Sequence, residues 1–163
     1  MEVFISTCLE QSKQRRYLFS AVCEAWWPKA SQTYWDYLPH GERFQWAERL
    51  SSDSVYCLTD DDCLPCPWLD LGKIAQLFRD HPDYATIACM NLLNPVKGEG
   101  LIEAEAVGGI RFIRKGVVTE FPADFDGDDS RYFDLVKAKG FKQGYVPEFP
   151  MLHLGCWHST WKR

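Results

Sequence analysis

Ser54-Val55-Tyr56-Cys57-Leu58-Thr59-Asp60-Asp61-Asp62 is an apolar run that stops abruptly at three consecutive aspartates. The β-branched and aromatic residues before Asp60 read as a buried strand. Three carboxylates at one strand end repel one another unless something positive sits among them. Hard divalent cations take oxygen ligands of this kind, commonly one or two carboxylates together with the phosphate oxygens of a substrate. The alternative is a solvated acidic turn, because aspartate is common wherever strands end.

The flanking sequence bears on that choice. After the triplet, Cys63-Leu64-Pro65-Cys66-Pro67 reads as a rigid turn. Leu69, Leu71, Ile74, Ala75, Leu77 and Phe78 then recur at helical spacing between Trp68 and Asp80. A strand is expected over Ala85–Met90. Before the triplet, Phe44, Trp46, Ala47 and Leu50 predict a helix from Gly41 to Leu50, preceded by an aromatic connection over 29–41 with room for a short strand. A helix over Gln14–Trp27, stopped by Pro28, follows a first strand over Val3–Cys8. Strands alternating with helices imply parallel pairing through crossover helices. The predicted class is therefore α/β, with a mixed, mainly parallel sheet flanked by helices. Ligands gather at the carboxyl ends of strands in such sheets, which is where the aspartates fall.

The second half has a different texture. Gly108-Gly109 precede Ile110-Arg111-Phe112-Ile113-Arg114-Lys115, whose alternation predicts a strand with its arginines on an exposed face. Paired glycines permit close approach of the backbone to another group, a ligand included, or mark a bulge. Asp128 and Asp129 open a helix over Ser130–Lys139, where capping and the helix dipole explain acidic residues without any chemistry. Gly144-Tyr145-Val146-Pro147 reads as a short edge strand, followed by His153 and an aromatic, basic tail.

Composition bounds the function. The chain has 163 residues, 46% hydrophobic and 25% charged, enough for one domain with a real core. A net charge of −5 argues against a nucleic-acid binder, which would carry a basic face. Cys8, Cys57 and Cys89 lie in apolar, strand-like stretches, and the total of seven cysteines is odd. Both features fit reduced thiols and a cytoplasmic setting. The first residues lack a signal-peptide pattern, and no run approaches the roughly 18 apolar residues of a membrane span.

The order of strand, Asp60-Asp61-Asp62, helix, strand, Gly108-Gly109 with its Ile-Arg strand, Asp128-Asp129 at a helix start, Gly-Tyr-Val-Pro and His153 resembles the GT-A fold glycosyltransferases, particularly the inverting "family 2" group, over residues 40–155. The resemblance implies a single GT-A-like (Rossmann-like) domain over 1–163, with a nucleotide-binding half over about 1–95 and an acceptor and catalytic half over about 96–163. It implies transfer of a sugar from a nucleoside-diphosphate sugar, a UDP-sugar foremost, to a hydroxyl acceptor that is a glycan, a lipid-linked group or a protein. Asp62, Asp60 and His153 would hold Mn²⁺ or Mg²⁺. Asp60, Asp61, Asp62, Gly108, Gly109 and Arg111 would contact the sugar nucleotide, with Asp36 a candidate reader of the base. Asp128 or Asp129 would be the general base. Arg111, Lys115, Lys162 or Arg163 would support the leaving diphosphate, and Trp35, Trp157 or Trp161 would stack on base or sugar.

Other classes remain open. Cys63, Cys66, His153 and Cys156 form two pairs with the S and N ligand types of a structural zinc site. Cys63-x-x-Cys66 alone is a redox pattern, but neighbouring acids raise thiol pKa values rather than lowering them. A GT-A-like nucleotidyltransferase or a non-catalytic nucleotide binder would share the aspartates.

Overall fold

The computed structural model describes residues 1–6, 25–27, 34–35, 42–95, 97–125 and 129–154. The helix expected over Gln14–Trp27 falls outside these residues except at its end. Cys8, Asp36, Asp128, Cys156, Trp157, Trp161, Lys162 and Arg163 lie outside them altogether. Eight strands form one mixed sheet: β1 (Val3–Ser6), β2 (Tyr34–Trp35), β3 (Val55–Asp60), β4 (Cys63–Pro65), β5 (Tyr84–Asn91), β6 (Ile102–Glu103), β7 (Arg111–Arg114) and β8 (Lys142–His153). Three helices lie wholly within the described residues: α1 (Glu42–Leu50), α2 (Leu71–Asp80) and α3 (Asp129–Ala138). The strand order is β2-β1-β3-β7-β5-β8-β4, with β6 paired to β8.

Strand alternation sends successive side chains to opposite faces. On one face Tyr56, Leu58 and Ile113 pack against Phe44 and Ala47 of α1 and Tyr132 and Val136 of α3. On the other, Cys57, Ile87, Cys89 and Phe112 meet Ile74 and Phe78 of α2. Asp70 caps α2, its carboxylate accepting from the backbone N–H of Gly72 at 2.8 Å and of Lys73 at 3.1 Å. Cys57 and Cys89 are buried thiols, as their apolar setting suggested. Among the described residues no helix is long and apolar enough to cross a membrane.

Four expectations are corrected. The sheet is mixed and curled rather than mainly parallel. β3 and β5 do run the same way, but β7 lies between them, antiparallel to both. Periodicity identifies strands and is silent about which strand fills a gap. That central place sets the arginine-bearing strand β7 beneath α1 and α3 on one face and α2 on the other, and Arg111 is fully buried. Gly144–Pro147 is no edge strand but part of β8, which pairs with β5, with β6 at Gly144 and Tyr145, and with β4 over Met151–His153. The β5–β8 register jumps from Cys89↔Val146 to Met90↔Pro150, so the ladder skips Pro147, which has no N–H to donate. Finally, Cys63–Pro65 is a strand rather than a turn, paired antiparallel with β8 so that Cys63 faces His153.

Candidate functional site

β1 and β3 are parallel and in register, with Ser6 beside Asp60, so Asp60 stands at the carboxyl end of both. Alternation places its side chain on the face of Tyr56 and Leu58. Leu58 pairs with Arg111 of β7 on that same face. Arg111 Nη2 donates to Asp60 Oδ2 at 3.3 Å, and its Nη1 donates to Asp129 Oδ1 at the start of α3. Arg43, from the first turn of α1, donates to Asp60 Oδ1, and its Nη2 stands 3.9 Å from Asp129. Both guanidiniums lie over the Phe44 ring, 5.2 and 5.1 Å from its centre, within cation–π range.

The two cations form a floor and the two carboxylates a rim. Arg111 is 0% exposed and Arg43 3%, against 24% for Asp60 and 36% for Asp129. Burial lowers the Arg43 pKa, with Asp60 opposing that shift. At Arg111 burial acts the same way, but Asp60 and Asp129 together outweigh it and the pKa rises. The electrostatic coupling makes this a single four-residue unit, and neither arginine has a free end to extend toward solvent.

The turn Asp61-Asp62 leads into β4 and forms a second group beside the first. The Cys63↔His153 pairing brings the imidazole alongside the turn, and Leu154 N–H holds Asp62 by its carbonyl at 2.8 Å. His153 Nε2 lies 3.3 Å from Asp62 Oδ1. Cys63 Sγ lies 3.6 Å from the same oxygen. One ligand atom from each of the three residues falls within 4.8 Å of the others. The contact with Asp62 raises the His153 pKa against the opposing effect of burial, and Asp60 adds to the rise. Burial, reinforced by Asp60 and Asp62, pushes the Cys63 thiol well up. A carboxylate oxygen and an imidazole nitrogen on one spot suit a divalent cation.

The structure thus divides the residues named from sequence. Asp62 and His153 come together as a donor pair. Asp60 turns to the arginines, and Asp61 lies half-buried in the connecting turn. What approaches the paired glycines is also visible. A Cβ on Gly108 would lie 2.6 Å from Asp129 Oδ2, and one on Gly109 would overlap the end of Met151 and sit 3.3 Å from Cys63 Sγ. Gly109 has φ +76°, a conformation that L side chains rarely adopt. Of the four-ligand zinc set, Cys63 and His153 meet, while Cys66 lines an apolar cavity of about 380 Å³ with Trp26, Trp27 and Leu69.

Arg43 and Tyr145 escaped the sequence reading. Arg43, Phe44, Ala47 and Glu48 are the buried positions of α1, so two charges on its inner stripe were the available signal. Tyr145 donates to the Ala106 carbonyl at 3.1 Å and braces the irregular segment leading to Gly108. It carried no signal, because the length of β8 was not apparent.

No protein-family profile matches the chain, and no curated protein sequence is similar to it. Solved structures do resemble it. A197 from STIV superposes with TM-score 0.63 at 11% identity over 94% of this chain and 85% of that one. S. aureus TarS 1–349 gives 0.58 at 8% over 93% of this chain, which spans 60% of that structure's length. HddC from Yersinia pseudotuberculosis gives 0.53 at 12%, covering 99% and 76% respectively. At these identities the likeness carries the fold alone.

Proposed function

We propose that the chain is a metal-dependent glycosyltransferase, acting on a nucleoside-diphosphate sugar with inversion at the transferred carbon. The observation that carries this reading is the gathering of Asp60, Asp62, Asp129, Arg111 and His153 at one end of the sheet. Its neighbour TarS is a GT-A-like glycosyltransferase, which supports the same class.

Asp62 and His153 would hold a divalent cation; the family resemblance alone implies Mn²⁺ or Mg²⁺. When bound, that ion stabilises the negative charge gathering on the departing diphosphate. Asp60, pinned through both oxygens by buried guanidiniums, offers its remaining acceptor capacity to a ribose or sugar hydroxyl in a fixed direction. Asp129 takes the proton of the acceptor hydroxyl as that oxygen bonds to the sugar carbon and the carbon–phosphate oxygen bond breaks. Arg111 spans Asp60 and Asp129, so it fixes the distance between the donor side and the base. Its burial makes it a positioning residue rather than a phosphate ligand.

Thermal stability against a panel of nucleoside diphosphates, with and without Mn²⁺, tests this. A metal-dependent stabilisation by one nucleotide, lost in Asp62→Ala, is the expected result. No metal-dependent shift with any nucleotide, or an Asp62→Ala protein that shifts as wild type does, overturns it.

A further inference from the structure

We infer that Cys63 is a third ligand at the Asp62–His153 site, and that its thiolate makes the site selective for borderline transition ions such as Zn²⁺ and Co²⁺ over Mg²⁺. The inference rests on the reading of Asp62 and His153 as metal ligands and adds a residue to it. Geometry carries the assignment. With bonds of about 2.0–2.2 Å to oxygen and nitrogen and about 2.3 Å to sulfur, a tetrahedral zinc site has edges of about 3.4 Å from oxygen to nitrogen and about 3.6 Å from sulfur to oxygen. The corresponding separations are 3.3 Å from Asp62 Oδ1 to His153 Nε2 and 3.6 Å from Asp62 Oδ1 to Cys63 Sγ. An octahedral Mg²⁺ site, with bonds of about 2.0–2.1 Å, needs adjacent donors about 2.9 Å apart and would not take sulfur.

The backbone holds this geometry. Cys63 and His153 are directly opposed across the β4–β8 ladder, so their side chains share one face, and Asp62 precedes Cys63 in the chain. Gly109 leaves room beside Sγ, and Met151 fills the space next to it, its sulfur accepting the Ile110 N–H at 3.2 Å. The thiol is therefore fixed at a rigid strand position, packed against sheet and glycine rather than swinging on a loop. Binding displaces the thiol proton to solvent, and the sulfur becomes an anion neutralised by the ion. With carboxylate, imidazole and thiolate in place, one coordination position is left for a diphosphate oxygen or water. That is the open arrangement of a catalytic site rather than the closed one of a structural zinc.

Cobalt spectroscopy on the metal-free full chain, without nucleotide, decides the matter. Wild type should show a thiolate-to-cobalt charge-transfer band in the near ultraviolet together with the intense visible bands of a tetrahedral ion. Cys63→Ser should lose the near-ultraviolet band, and its Zn²⁺ affinity should fall at least about 100-fold, since even loss of a group supporting a ligand costs 10–100-fold. Cys66→Ser should retain both. Wild-type protein that binds no cobalt or shows no thiolate band overturns the inference without recourse to any variant. A band that survives in Cys63→Ser overturns it too. A thiolate band with no nucleotide stabilisation would count against glycosyl transfer alone; metal-dependent nucleotide stabilisation without a thiolate band would count against Cys63 alone.

Discussion

Replacing Asp60 by alanine removes the carboxylate that meets both buried guanidiniums and leaves Arg43, among the described residues, with the 3.9 Å contact to Asp129 as its remaining ion pair. Breaking a buried pair by deleting one partner costs about 3–5 kcal/mol, because the remaining charge stays in a medium that solvates it poorly. Asp60 is itself about one-quarter exposed, and Asp129 continues to neutralise Arg111, so the lower end, about 3 kcal/mol, applies. In a domain of this size that corresponds to a melting temperature lower by roughly 6–12 °C. The control is Glu148→Ala. It removes the Lys73–Glu148 pair, whose bond is 2.7 Å but whose side chains are 58% and 57% exposed, and should cost less than about 1 kcal/mol. Urea unfolding of the ligand-free protein measures both. If Asp60→Ala costs no more than Glu148→Ala, the two arginines are not buried charges held by Asp60, and the floor-and-rim description of the site is wrong.

Other consequences follow from individual contacts. Gly109→Ala must adopt a positive φ and displace Met151; a loss of at least about 1–3 kcal/mol in urea unfolding is expected, and unchanged stability would contradict the packing described. Asp129→Asn should lower transfer by 10²–10⁴-fold, as loss of a general base does, while the metal-dependent nucleotide stabilisation persists. Full activity in that variant rules Asp129 out as the base. Burial raises the Cys89 thiol and the Tyr56 phenol well above their ordinary values. Their protonated forms are thus favoured by folding, and the stability they contribute is present below the unfolded pKa and lost as pH rises. The Cys63 thiol is raised in the same way, so stability should fall with a slope of at least about −2.7 kcal/mol per pH unit above about pH 8.5, where both thiols titrate in the unfolded chain, and more steeply above about pH 10, where Tyr56 joins them. A urea midpoint constant between pH 8 and 10.5 would refute this, and Cys89→Ala should make the first part of the decline shallower without removing it.

The elements were legible where the apolar pattern is local, as a stripe along a helix or a continuous run through a buried strand. α1, α2, α3, β3 and β5 lie close to their periodic patterns, and the Asp60–Asp62 stretch does end at the carboxyl side of a strand whose neighbour β1 is parallel. What sequence periodicity could not carry is lateral order. β7 reads like any alternating strand, but its central place between β3 and β5 sets it beneath α1 and α3 on one face and α2 on the other, which turns Arg111 from an outward cation into a buried bridge. The same limitation hid β4, three residues long and prolonged in sequence by Pro65, whose pairing with the end of β8 recruits Cys63. Only the family resemblance distinguished the three adjacent aspartates in sequence. They diverge because Asp60 ends a strand and faces α1, whereas Asp61 and Asp62 occupy the turn, and Asp62 meets His153. Arg43 required recognising charges on the buried stripe of a short helix, a pattern that ordinary amphipathicity argues against.

Isothermal titration of UDP into the protein tests the pairing of metal and donor diphosphate at Asp62 and His153 most directly. UDP should bind wild type at least about tenfold, or 1.4 kcal/mol, more tightly in Mn²⁺ than in EDTA, and the difference should vanish in both Asp62→Ala and His153→Ala. Equal affinity in the two buffers, or an undiminished difference in either variant, would contradict it.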